Sequence, residues 1–243
     1  MTVFLTSSPT GPLDGSRPVH GVDELNGLRE NLRRRWKPAA RVLLVSADPG
    51  NDAFNDRVRG DFEYLLGVSE FSCSTVDSWD DRTEELSAEE LCRYDVLLLG
   101  GGHVPTQNAF FSRIRLREKL QDFRGIVIGI SAGSMNCAET VYAQPEEAGE
   151  SVDPAYRRFL PGLGLTRVNV LPHLQMLRDT WLDGRRLFED ITFADSYGRE
   201  FMAIPDGSYL LLENGITTLF GEGWRIADGN MTQICGAGEC IRL

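Results

Sequence analysis

The residues best suited to covalent chemistry lie in Gly129-Ile130-Ser131-Ala132-Gly133, a G-x-S-x-G stretch entered by the apolar run Gly125-Ile126-Val127-Ile128. In such a stretch the serine stands on a sharp strand-to-helix turn, a nucleophile elbow, with its hydroxyl exposed at the helix N-terminus. Small residues two positions to either side let neighbouring backbone pass where a side chain would clash. A tight turn carrying a chance serine would read the same way, so the assignment needs partners. The first is Gly100-Gly101-Gly102-His103, which follows the apolar segment Asp95-Val96-Leu97-Leu98-Leu99. Glycines at the carboxyl end of a strand leave N–H groups that can approach a ligand closely. An N–H from Gly101 or Gly102, with that of Ala132, would form an oxyanion hole, each donor worth about 3–4 kcal/mol of transition-state stabilisation.

A serine also needs a base, and the chain holds three histidines. His20 lies in a polar stretch with no strand leading into it. His103 adjoins the glycines and would line the site. His173 follows Arg167-Val168-Asn169-Val170-Leu171, and Pro172 biases Leu171 towards extended backbone, so His173 stands at a strand's carboxyl end, where sites assemble in open parallel sheets. It is the better-placed base, with His103 as rival and a plain loop histidine as the bland alternative. For the acid that orients the imidazole, the apolar segment Phe201-Met202-Ala203-Ile204-Pro205 delivers Asp206-Gly207. Asp-Gly is also ordinary turn chemistry, and Glu146 and Glu147 are competing acids.

Chain order separates fold families. An α/β-hydrolase runs Ser, acid, His, but only Asp153 is an aspartate between Ser131 and His173, and the interval is too short for the usual strand and helix units. The order Ser131, His173, Asp206 fits better. On these motifs the sequence resembles the peptidase E (α-aspartyl dipeptidase) family, with cyanophycinase as a more distant relative. The resemblance rests on Gly100-Gly101-Gly102, Gly129-Ile130-Ser131-Ala132-Gly133, Pro172-His173 and Ile204-Pro205-Asp206-Gly207. It departs at His103, where the dipeptidase has Asn, and at Asp206, where the family has Glu. It implies a class I glutamine amidotransferase-like fold: an α/β, three-layer domain over residues 1–243, a mostly parallel sheet with helices on both faces. It also implies a pocket arginine on the segment after the histidine motif. Arg178, Arg185 and Arg186 are the candidates, with a solvated helix start the competing reading of the last two.

The positioning elements follow a βαβ rhythm. Val3 to Leu5 and Arg41 to Val45 read as strands around a charged helix through Asn31-Leu32-Arg33-Arg34-Arg35, a run best read as a solvated face. Ser87-Ala88-Glu89-Glu90 is a capping box, Phe110 to Phe123 carries a helical pattern, and Ala132 to Ala138 can continue as a helix. Gln144 to Asp153 is a polar, acidic loop able to fold over the site. Asn214-Gly215 and Asp228-Gly229 between short apolar runs predict hairpins and an antiparallel edge.

Composition agrees with one α/β unit: 243 residues with 42% hydrophobic content suffice for a substantial core. The net charge of −11 argues against nucleic acid and anionic membrane as partners. Five cysteines without C-x-x-C read as reduced thiols, preferably buried small hydrophobes. The N-terminus lacks the marks of a signal peptide, and no apolar run approaches ~20 residues, so a cytoplasmic protein is expected. The expected function is serine peptidase action on short peptides through an acyl-enzyme, with no metal or organic cofactor, in a monomer or homodimer. An esterase, a cyanophycinase-like hydrolase and a non-catalytic binding protein remain as alternatives. A glutamine amidotransferase would carry Cys where this chain carries Ser131.

Overall fold

A computed structural model of the chain describes residues 1–11 and 20–243. Five strands, β1 (Thr2–Thr6), β2 (Ala40–Val45), β3 (Cys73–Trp79), β4 (Val96–Leu99) and β5 (Ile126–Ile130), lie parallel in the order β1-β5-β4-β2-β3. Beyond β1 the sheet continues antiparallel through Tyr209–Glu213, Ile216–Phe220 and Cys240–Arg242. β4 and β5 are apolar at every position because both faces are covered, and both strands are buried throughout. Alternate residues serve opposite cores. Leu97, Leu99 and Val127 pack with Phe110, Phe111 and Leu116, whereas Val96, Leu98 and Ile128 pack with Leu28, Leu32, Leu65 and Leu66. The helices behind these residues are α1 (Leu28–Arg33) and α2 (Asp52–Val68) on one face, and α4 (Val104–Arg113) and α5 (Leu116–Lys119) on the other, joined there by α3 (Ala88–Leu91). The capping box at Ser87 is present, with Glu90 N–H on Ser87 Oγ and the Glu90 carboxylate on Ser87 N–H.

Three local expectations change. The helical pattern from Phe110 to Phe123 belongs to two helices broken at Arg115, whose φ of 54° no α-helix can continue, and the first begins earlier, at Val104, with Pro105 in its first turn. The arginine run is not wholly a solvated face: Arg35 reaches across to the carboxylate of Glu213 through Nε and Nη2, at 2.8 and 2.7 Å. The helix after Ser131 is a single turn, α6 (Ala132–Met135), because the chain then pairs with the Thr166 segment: Glu139 N–H donates to Thr166 O.

That segment leads to a second, four-stranded sheet, in which Asn169–Leu171 runs parallel to Glu200–Ala203, followed by Gly223–Ala227 and Asn230–Cys235 antiparallel. Both anticipated hairpins form, with positive φ at Asn214, Gly215, Asp228 and Gly229, the conformation a two-residue turn with the right twist demands. One lies in each sheet. The small sheet is fastened to the large one by apolar packing of Phe201, Leu171 and Leu174 against Ala132, Met135 and Tyr142. The rings of Tyr142 and Phe201 stack at 4.2 Å, a contact worth about 0.5–1.5 kcal/mol beyond area burial. All five cysteines are free thiols; Cys137 and Cys235 are buried, but Cys92 and Cys240 are exposed and Cys73 is half-buried, so only two act as core hydrophobes. Among the described residues no helix is long and apolar enough to cross a membrane.

Candidate active site

β5 delivers Ser131 at its carboxyl end, in a backbone conformation (φ 52°, ψ −114°) that costs a residue with a Cβ about 1–3 kcal/mol. The surroundings hold it there. Ser131 N–H donates to Thr6 O at 3.0 Å, and its carbonyl accepts from the N–H groups of Ser134 and Met135. The flanking glycines are required by close approach. A Cβ on Gly133 would lie 2.1 Å from Leu99 O, and one on Gly129 would lie 2.8 Å from Ser134 N.

The small sheet brings the imidazole. Leu171 ends a strand, and His173, itself at φ 58°, turns its ring towards the large sheet. Its Nε2 lies 2.9 Å from Ser131 Oγ and its Nδ1 2.7 Å from Asp206 Oδ1. Asp206 follows the neighbouring strand, Glu200–Ala203, in a turn closed by Ser208 N–H on Pro205 O, so turn chemistry and carboxylate placement are one feature. Its side chain is fully buried. Burial by itself would raise the carboxyl; hydrogen bonds from His173, Ser7 and Gln175 and the charge attraction of His173 outweigh it and hold the group below the usual carboxylate range.

Two of these partners went unnoticed in the sequence. Ser7, just past β1, donates its hydroxyl proton to Asp206 Oδ1, and its oxygen then accepts the backbone N–H of His173 at 2.8 Å. Gln175 and Asp206 pair reciprocally: Gln175 Nε2 donates to Oδ2 at 2.7 Å, and Asp206 N–H donates to Gln175 Oε1 at 3.0 Å. Position at the carboxyl end of an apolar strand, the signal that singled out His173, also marks Ser7.

Gly100 N–H completes the β4 ladder on Val45 O, which leaves Gly101 and Gly102 beyond the last sheet bond, while Ala132 opens α6 and carries one of its orphan N–H groups. A buried amide chain ties the glycine loop to α6: Gln107 Nε2 donates to Gly100 O, and Asn136 Nδ2 to Gln107 Oε1, at 2.7 and 3.0 Å.

His103 is not brought to Ser131. Its Nδ1 meets Thr106 Oγ1 and its Nε2 meets Glu150 Oε1, at 2.7 and 2.8 Å, and Glu150 in turn receives the N–H groups of Glu146 and Glu147. The loop from Gln144 to Asp153 is thereby folded beside the site. Glu146 takes Val104 N–H at 3.0 Å and does not touch His173. Although its surface is open to a cavity, protein crowding is the largest influence on the Glu146 carboxyl; with Glu150 and Glu147 nearby it outweighs the Val104 bond and His103, and the group titrates above its ordinary value.

Ser131 and His173 separate two cavities. The larger, about 500 Å³, is bounded by Ser8, Pro9, Thr10, Phe62, Tyr64 and Gly101. The smaller, about 150 Å³, lies against Ala132, Met135, Gln144, Glu146 and Leu187. Arg178, Arg185 and Arg186 line neither. Arg186 is held at the surface by Asp190 across one helical turn, and Arg185 lies exposed in the hairpin of Trp181–Leu182 with Arg185–Arg186, which points these side chains to solvent.

The chain has counterparts among known proteins. In overall structure the chain is similar to a crystal structure from Listeria monocytogenes EGD-e described as a "Putative Peptidase E Protein", with a TM-score of 0.58 and 13% sequence identity, covering 96% of this chain and 98% of the other. At that identity the likeness is one of fold. Among curated proteins, none matches the sequence. Peptidase family S51 matches residues 17–220, a span that takes in the glycine loop, Ser131, His173 and Asp206, and the chain belongs to this family.

Proposed function

We propose that the protein is a serine peptidase of short peptides, with Ser131 as nucleophile, His173 as base and Asp206 as the orienting acid. The observation that carries this reading is the unbroken line from Ser131 Oγ through both ring nitrogens of His173 to a buried, ionised carboxylate. Asp206 accepts only, so the proton it faces is on Nδ1. Nε2 is then free to take the Ser131 proton.

As Oγ bonds to the scissile carbonyl carbon, that proton passes to Nε2, and the oxyanion lies against the N–H groups of Ala132 and the Gly101-Gly102 loop. The C–N bond breaks as His173 returns the proton to the departing amine. A water molecule, deprotonated by the same imidazole, attacks the ester, and the carboxylic acid and the Ser131 hydroxyl are released. Apart from that water, every group used is a side chain or backbone amide of the chain. The charges near the turn give no support to a preference for N-terminal Asp: among the described residues no lysine or arginine lines either cavity.

The test is labelling of the native protein with a fluorophosphonate probe, together with hydrolysis of a dipeptide panel. Wild type is expected to label and turn over and Ser131→Ala to do neither; a folded wild type that does neither would leave a binding protein.

A further inference from the structure

The smaller cavity has an uneven chemistry. Val104, Met135, Leu177, Leu182 and Leu187 supply apolar walls, and apart from Ser131, His173 and the oxyanion-hole amides of Gly102 and Ala132 the polar side chains among them offer acceptors. Gln144 shows this most clearly. Thr192 Oγ1 gives its proton to Leu187 O, so it must accept from Gln144 Nε2 at 2.7 Å, which orients the amide and leaves Gln144 Oε1 as an acceptor. Thr180 likewise spends its hydroxyl proton on Met176 O, at 3.1 Å. Glu146 uses one carboxylate oxygen on Val104 N–H; the other has no hydrogen-bond donor among the described residues. Acceptors from Glu146, Gln144 and Thr180 among apolar walls, in a cavity that also reaches Ser131, match a long aliphatic stem tipped by an ammonium or guanidinium.

On the reading of the protein as a serine peptidase, we propose that this cavity is a subsite for the cationic side chain of a lysine or arginine adjoining the scissile bond, with Glu146 as the residue that sets the preference. Glu150 and Glu147 add negative potential behind Glu146, and His103 is held by Glu150, away from the cavity. The chain's net charge of −11 draws a cationic peptide in and opposes an acidic one. A carboxylate side chain beside Glu146, Gln144 Oε1 and Thr180 would meet acceptors, so acidic substrates are rejected by repulsion as well as by want of a partner there.

The experiment compares kcat/KM for p-nitroanilides of lysine, arginine, norleucine and aspartate, and for the dipeptides Lys-Leu, Leu-Lys, Nle-Leu, Leu-Nle, Asp-Leu and Leu-Asp. Norleucine keeps the stem of lysine and lacks its charge. Lysyl substrates at one of the two positions should exceed norleucyl ones by about 10- to 100-fold, the scale of a charge-assisted hydrogen bond. Glu146→Gln should bring that ratio close to one, mainly through KM, Glu146→Asp should keep most of it, and Glu146→Lys should turn it towards aspartyl substrates. Equal use of norleucyl or aspartyl substrates by wild type overturns the proposal. So does a Glu146→Gln variant slowed equally on all substrates, which would mean that Glu146 only holds the loop on Val104. Fluorophosphonate labelling of wild type separates the two levels: labelling without a lysyl preference sinks the subsite alone, whereas absence of labelling and turnover sinks both.

Discussion

His173 and His103 stand on either side of the same serine turn, each just past a strand, and each has both ring nitrogens engaged. At His173 the outer nitrogen faces a hydroxyl, Ser131 Oγ, and the inner one a buried carboxylate. At His103 the order is inverted: Thr106 lies on Nδ1 and the carboxylate of Glu150 on Nε2, so the nitrogen that could reach outward is occupied. The side-chain type is the same, and the neighbours assign the work. A histidine between an acid and a nucleophile can pass a proton. One between an acid and a threonine beside it fastens a loop.

The contrast breaks most sharply at the serine side. Ser131→Ala and His173→Ala are each expected to lower kcat by about 10⁴-fold or more, with melting temperatures close to wild type, as read by dipeptide hydrolysis and thermal unfolding. Parity of His103→Ala with His173→Ala would erase the distinction. Asp206→Asn should cost nearly as much, about 10⁴-fold, because the amide favours the wrong imidazole tautomer, whereas alanine at both Glu146 and Glu147 should leave far more activity on uncharged substrates. The reverse ranking would move the acid role to the loop. His103→Gln should cost only about tenfold, expressed more in KM than in kcat, and should increase proteolytic nicking between Gln144 and Asp153, since the Glu150 contact that folds this loop would be lost.

The smallest effect sharpens the comparison through pH. A carboxyl held below its unfolded value stabilises the fold fully above that value, about pH 4, and the contribution disappears as pH falls through the lower native value. Ser7→Ala removes one donor from Asp206, so its carboxyl should rise towards the ordinary range and acid unfolding should begin at higher pH than in wild type. Identical acid transitions in the two proteins, followed by circular dichroism, would show that the Ser7 bond does not matter to the carboxylate.

Much of the site was legible because its signals are local. Glycines around Ser131 are demanded by backbone that passes within contact distance, and proline before His173 marks a strand end, so both can be seen in a few adjacent residues. Ser7 and Gln175 were not seen because their importance lies in contacts with Asp206 that span 199 and 31 residues, and serine and glutamine carry no composition signal of their own. The second sheet was hidden for a related reason: its strands are short, and nothing in Asn169–Leu171 says that its partner is Glu200–Ala203 and not the central sheet.

The sequence by itself determined the alternation that covers both faces of the central strands, the turn at Ser131 and the residue types able to perform acyl transfer, since periodicity and steric need are properties of neighbouring residues. Tertiary structure decided which histidine meets the serine, which acid meets the histidine and which charges face the cavities. Those choices depend on how the small sheet docks through Tyr142 and Phe201 onto the α6 side of the large one, and that docking follows from the packing of apolar surfaces far apart in the chain.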